Sequence, residues 1–92
     1  MVNAVVLINV EKGHTDAVAQ TLTETEGVSE VYSVAGRYDL VAIVRVKEHE
    51  ELARRVSEGI QNVPGLTKTE TLIAFKAYSQ HDLESMFGLG LD

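Results

Sequence analysis

Cysteine is absent from the sequence. That excludes a disulfide framework, a thiolate metal site and a cysteine nucleophile. Tryptophan is absent too, and aromatic residues make up only 5 % of the chain, so aliphatic side chains must do most of the packing. Basic residues are few: Lys and Arg total 8 against 14 Asp and Glu, a formal net charge of −6. Phosphate binding needs a basic face, so neither nucleic acid nor an anionic membrane is an expected direct partner. The first ten residues, Met1 to Val10, are largely apolar but too short to span a bilayer, and they lack the basic segment of a signal peptide. They read as a strand, and a cytoplasmic location is the default expectation.

What is present fits one domain. The chain has 92 residues, 45 % hydrophobic and 24 % charged, an ordinary globular balance with one modest core. The β-branched run over 2–10 predicts a first strand. Glu11-Lys12-Gly13 breaks it, and Thr15 and Asp16 open a helix whose Val18 and Leu22 form an apolar stripe, with Gly27 after its last turn as a C-cap. A strand over 28–35, a short turn Gly36-Arg37-Tyr38-Asp39 and a strand over 40–46 predict an antiparallel hairpin. Residues 48–61 predict a second helix with Leu52, Val56 and Ile60 inward, ended by Pro64-Gly65. A fourth strand is expected over 67–77. Residues 1–79 form the domain, and 80–92 a short terminal helix and a loose tail.

The order is β-α-β-β-α-β, with a weak internal echo: Glu26-Gly27-Val28 and Pro64-Gly65-Leu66 each place a glycine and an aliphatic residue before a strand. Two split βαβ halves give an α+β, ferredoxin-like sandwich, a four-stranded antiparallel sheet with both helices on one face. In a monomer of that fold the other face should be polar. Here Val5 and Leu7 oppose Ala4, Val6 and Ile8, while Val41 and Ile43 oppose Leu40, Ala42, Val44 and Val46. Leu72 likewise opposes Ile73. Two helices cover one face only, so a second sheet of the same chain is the expected cover for the other. On the second strand, Val28, Tyr32 and Val34 are expected on one face and Val31 and Ala35 on the other.

No constellation points to catalysis. His14, His49 and His81 are scattered without metal-ligand spacing, there is no phosphate-binding glycine loop, and no cofactor or metal is expected. A dimeric αβ-barrel enzyme of the monooxygenase kind is the alternative from another class. Asn3 and Asn9 would be its only polar candidates inside the sheet cavity, and both sit at strand ends. A purely structural assembly module is a third reading. The most informative segment is Val34-Ala35-Gly36-Arg37-Tyr38-Asp39-Leu40. A glycine lets backbone N–H groups approach a carboxylate, and an acid three residues on can accept from an ammonium group. The same residues also read as an ordinary hairpin turn in which Asp39 bonds its own backbone.

The stretch Ser29-Glu30-Val31-Tyr32-Ser33-Val34-Ala35-Gly36-Arg37-Tyr38-Asp39-Leu40-Val41 resembles the core of the ligand-binding domain of the Lrp/AsnC (feast/famine) transcription regulators. Thr69-Glu70-Thr71-Leu72-Ile73-Ala74-Phe75 resembles that family's Thr-x-Thr final strand, and the likeness runs from Val2 to Tyr78. It implies the βαββαβ sandwich, dimers formed through the sheets, rings of commonly four dimers, and amino-acid effectors bound where dimers meet. Gly36, Arg37, Tyr38 and Asp39 would form one wall of that site, with Asp39 on the α-ammonium and the amides near Gly36 on the carboxylate. Thr69 and Thr71 would line it as well, from a neighbouring subunit. Family regulators carry an N-terminal helix-turn-helix, whereas Met1 opens directly on the first strand here. The expectation is a stand-alone, effector-binding module that can mix with full-length regulators and does not bind DNA itself.

Overall fold

The computed structural model describes residues 1–78 and 80; the short helix and tail expected over 80–92 lie outside that range, but for Gln80. The elements run β1 (Val2–Val10), α1 (Thr15–Thr23), β2 (Val28–Ser33), β3 (Leu40–Val46), α2 (His49–Arg54) with a π-helical continuation over Arg55–Ile60, and β4 (Leu66–Ile73). The sheet is antiparallel with order β2-β3-β1-β4, which makes β2 and β4 its edges. This is the ferredoxin-like βαββαβ sandwich expected from the element order.

Alternation along the strands decides where the core lies. Ala4, Val6 and Ile8 of β1 and Leu40, Ala42, Val44 and Val46 of β3 are buried, and they meet Val18 and Leu22 of α1 and Leu52, Val56 and Ile60 of the second helical segment. Both helices therefore cover one face. The opposite face carries two cross-sheet rows, Tyr32-Val41-Leu7-Glu70 and Glu30-Ile43-Val5-Leu72. Val5, Leu7, Val41 and Ile43 are half-buried by their neighbours alone, and Tyr32 and Leu72 remain 49 % and 47 % exposed.

Local departures from the sequence reading have physical causes. The second helix is not one α-helix over 48–61. Residues at strict four-residue spacing drift by roughly 40° per step around a 3.6-residue turn. The wider π turn, closed by Gln61 N–H donating to the Val56 carbonyl, offsets that drift and keeps Ile60 inside. A bulge between Val28 and Glu30 puts Val28 on the same face as Val31, packed against the core, and not beside Tyr32 as strict alternation predicts. β4 ends at Ile73 because its partner β1 runs out: Ala74 N–H donates to the Asn3 carbonyl, and Phe75 beyond it is fully exposed. Gly27 is no C-cap. α1 ends at Thr23 with Glu24 as its cap, and Gly27 instead opens β2.

The internal echo is carried into the backbone. Gly27 and Gly65 have φ of 93° and 90°, each precedes an edge strand, and each offers its carbonyl to the neighbouring strand segment, to Arg45 N–H and Glu11 N–H respectively. A register shift follows both, at Val28/Glu30 and opposite Asn9/Val10. The two sites differ in packing. A Cβ on Gly65 would lie 3.1 Å from both His14 Cβ and the fully buried Val18, whereas one on Gly27 would lie 3.2 Å from Arg55 Cγ and 3.3 Å from Val46. Either alanine carries a strain of about 1–3 kcal/mol for a positive φ. Gly65→Ala should therefore cost more stability than Gly27→Ala in urea unfolding, by about 1 kcal/mol for the added crowding; equal losses would contradict the packing difference.

Candidate functional site

The loop between β2 and β3 sits at the end of the sheet where β1 finishes. Its closing backbone bonds run from Val34 N–H to the Asp39 carbonyl and from Asp39 N–H to the Ile8 carbonyl. The Asp39 carboxylate does not bond its own backbone. Oδ2 accepts from Val10 N–H at 2.9 Å, across 29 residues, and so ties the loop to the last residue of β1. Tyr38 secures the other side. Its hydroxyl donates to Glu70 on β4, so the side chain reaches past β1 on the open side of the sheet.

Held this way, the loop leaves Gly36 and Arg37 in solvent while Tyr38 and Asp39 are half-buried. Gly36 has φ of 129°, a conformation that favours glycine, and a Cβ there would meet nothing within 4 Å. Open backbone beside an arginine and an acid is an arrangement that can accept the two ends of a zwitterion.

The hydrogen bond to Glu70, then burial and then the Glu70 charge push the Tyr38 hydroxyl above its ordinary 10.0. The bond is fully present below that ordinary value and is lost as pH rises through the raised one. Ultraviolet titration should show a late-ionising tyrosine that returns toward the ordinary range in Glu70→Gln; no change in that variant would argue against the bond. Tyr32 is raised as well, chiefly by its hydrogen bond to Glu30.

Thr69 and Thr71 lie elsewhere. Register pairs them with Ile8 and Val6, so both point to the helix side of the sheet, opposite to Glu70. Thr71 lines a groove of about 270 Å³ between the second helical segment and edge strand β4, together with His49, Leu52, Ala53, Val56 and Ile73. Within one chain Gly36, Arg37, Tyr38 and Asp39 share one loop, from which Tyr38 reaches over the open side of the sheet, whereas Thr69 and Thr71 face the helix side. Sequence reading missed Glu70 and Val10 as partners of the loop, and missed the apolar groove residues around Thr71. The alternation of Thr69, Glu70 and Thr71 carried the signal for the first of these. Asn3 and Asn9 stand on the open face, and Asn3 Oδ1 is buried without a hydrogen-bond partner. Among the described residues no group of three or more His, Asp or Glu side chains could hold a metal ion.

Residues 3–83 match the family model described as the Lrp/AsnC ligand binding domain. The chain belongs to the Lrp/AsnC ligand-binding-domain family. The solved structure of TTHA0845 from Thermus thermophilus is similar, with a TM-score of 0.82 and 46 % identity, covering 87 % of this chain and all of that one. The structure of FFRP-DM1 matches at a TM-score of 0.78 and 32 % identity, over 82 % of this chain and all of that one. Among curated relatives, the HTH-type transcriptional regulator FL11 of Pyrococcus abyssi is 36 % identical over 77 residues, 84 % of this chain and 50 % of its own length. The chain therefore spans about half the length of the curated Lrp/AsnC relatives it matches.

Proposed function

We propose that this Lrp/AsnC domain is a homo-oligomeric, amino-acid-sensing regulatory module of the cytoplasm, without catalytic activity. Two sheets pair through their open faces, and dimers assemble further, as a ring in the fully assembled form. The effector binds where dimers meet, with the Asp39 carboxylate on its α-ammonium, the amides beside Gly36 and the Arg37 guanidinium near its carboxylate, and Tyr38 closing the wall. Thr69 and Thr71 come from the adjoining subunit. Through the same contacts the module joins full-length regulators of its family and changes their response.

The observation that carries this reading is the split between the two halves of the site. The loop presents groups for a zwitterion at one end of the sheet, and the threonines lie on the opposite side. A site that uses Tyr38 from one face and the threonines from the other draws on two copies in this reading. The apolar rows on the open face supply the reason for copies to meet, since each aliphatic side chain buried there stabilises association by about 1.5–3 kcal/mol before entropic costs.

Thermal-shift screening against the common amino acids at millimolar concentration tests the binding claim. A ligand that binds the folded state alone stabilises it by roughly 2.7 kcal/mol at one hundred times its Kd, a rise of several degrees in a domain of this size. A flat profile across all of them would rule out amino-acid sensing and leave an assembly module.

A further inference from the structure

We infer that the groove between α2 and β4 receives the effector's side chain, and that the effector is an amino acid with an apolar, uncharged side chain. This rests on the amino-acid-binding reading and adds to it a chemical class.

The two halves of the fold each form a groove between a helix and an edge strand. In the first half, Asp16, Ala19, Gln20, Thr23 and Val31 line it. In the second half, His49, Leu52, Ala53, Val56, Thr71 and Ile73 line it. Ala19 and Ala53 hold equivalent places, each the fifth residue after the position capping its helix, His14 and Glu48. The repeat extends to the positive-φ glycine before each edge strand, although only the second half continues into a π-helical segment. The linings differ. The first groove is mixed, with Asp16, Gln20 and Thr23 beside Ala19 and Val31. The fold thus places no demand for a mainly apolar lining at this position, and the second groove has one nonetheless.

Size and polarity select the occupant. About 270 Å³ is below the usual range for a drug-sized ligand and suits one side chain. Among the described residues, the polar groups on its walls are the Thr71 hydroxyl and the His49 ring. A carboxylate, amide or ammonium seated there would have most of its hydrogen-bonding positions unmatched, which a buried polar group tolerates poorly. An aliphatic side chain or a thioether leaves nothing unmatched. Thr71 also links this groove to the rest of the proposed site: it is the member of the threonine pair that lines the wall, so a zwitterion held by the Gly36–Asp39 loop of one chain would direct its side chain toward the Thr71 groove of another.

Calorimetry on the full chain with leucine, isoleucine, methionine and valine, and in parallel with aspartate, asparagine, lysine and glycine, tests the inference. Apolar amino acids should bind at least about tenfold more tightly than polar ones and glycine, since a single methylene in such a pocket is worth roughly that factor. Ala53→Met fills the groove from an exposed helix position, and should weaken leucine binding by about tenfold or more. Gln20→Ala, in the first groove, should leave it unchanged. Equal affinity for leucine and asparagine, or leucine binding unaffected by Ala53→Met, would overturn the inference while leaving amino-acid sensing intact. Absence of binding by every amino acid would overturn both.

Discussion

Replacing Ile43 by aspartate should leave a folded chain that no longer associates with itself. Ile43 sits in the middle of an open-face row, between Glu30 and Val5, with its side chain away from the helices. In the isolated chain it is only half-buried, so the substitution removes little from the core and adds a β-propensity penalty of about 1 kcal/mol. In a two-fold sheet-to-sheet pair the same residue appears twice, once from each copy. Each loses about 1.5–3 kcal/mol of apolar burial, and each adds a carboxylate to a dry interface beside the neighbouring Glu30. The combined loss of roughly 3–6 kcal/mol corresponds to about two to four orders of magnitude in the dissociation constant. Sedimentation over a dilution series reads that change, with circular dichroism confirming the fold. Val5→Lys, at the adjacent position with the opposite charge, should act alike. An undiminished assembly in both variants would mean that the open face is not the contact.

The second large effect separates two duties of Asp39. Its Oδ2 holds the loop to Val10 N–H, and the carboxylate charge is assigned to the effector's ammonium. Asparagine can still accept from Val10 N–H but carries no charge. Asp39→Asn should therefore keep stability within about 1 kcal/mol of the parent and lower amino-acid affinity by roughly 30-fold or more, since losing one partner of a hydrogen-bonded charge pair costs about 2–5 kcal/mol. Asp39→Ala should lose binding and, in addition, about 1–3 kcal/mol of stability, because the Val10 N–H then has no acceptor. Calorimetry and urea unfolding on the two variants distinguish the duties. An Asp39→Asn protein that binds as tightly as the parent would remove Asp39 from the effector site.

These distinctions show which parts of the structure could be read in the chain. Element order, the hairpin, the buried stripes Val18/Leu22 and Leu52/Val56/Ile60, and the two-sided aliphatic strands all follow from hydrophobic period, a local property. The glycines before β2 and β4 were visible as an echo. The bulges that follow them were not, because an extra residue in one strand leaves no mark in composition, and so Val28 fell on the wrong face. The early end of β4 depends on where β1 begins, at the far end of the chain. The π turn at Arg55–Ile60 keeps Ile60 in the core, and hydrophobic spacing alone does not announce it.

The site shows the same division. Gly36, Arg37, Tyr38 and Asp39 are contiguous, so their joint position is a matter of one turn. That Tyr38 reaches Glu70 and Asp39 reaches Val10 are tertiary facts. Alternation alone requires Thr69 and Thr71 to share a face and Glu70 to take the other, yet which of those faces the helices cover is settled only when β4 pairs with β1. The family likeness named both threonines without saying on which side they stand.

Pairing through the open face is the proposed first step of assembly, and the effector site proposed where such dimers meet depends on it. Light scattering coupled to size exclusion, on the unmodified protein without added ligand, measures it directly. The chain mass is 10.1 kDa. The expected result is an even multiple of that mass, two copies or more, persisting to low micromolar concentration. A particle with the mass of one chain would contradict the account.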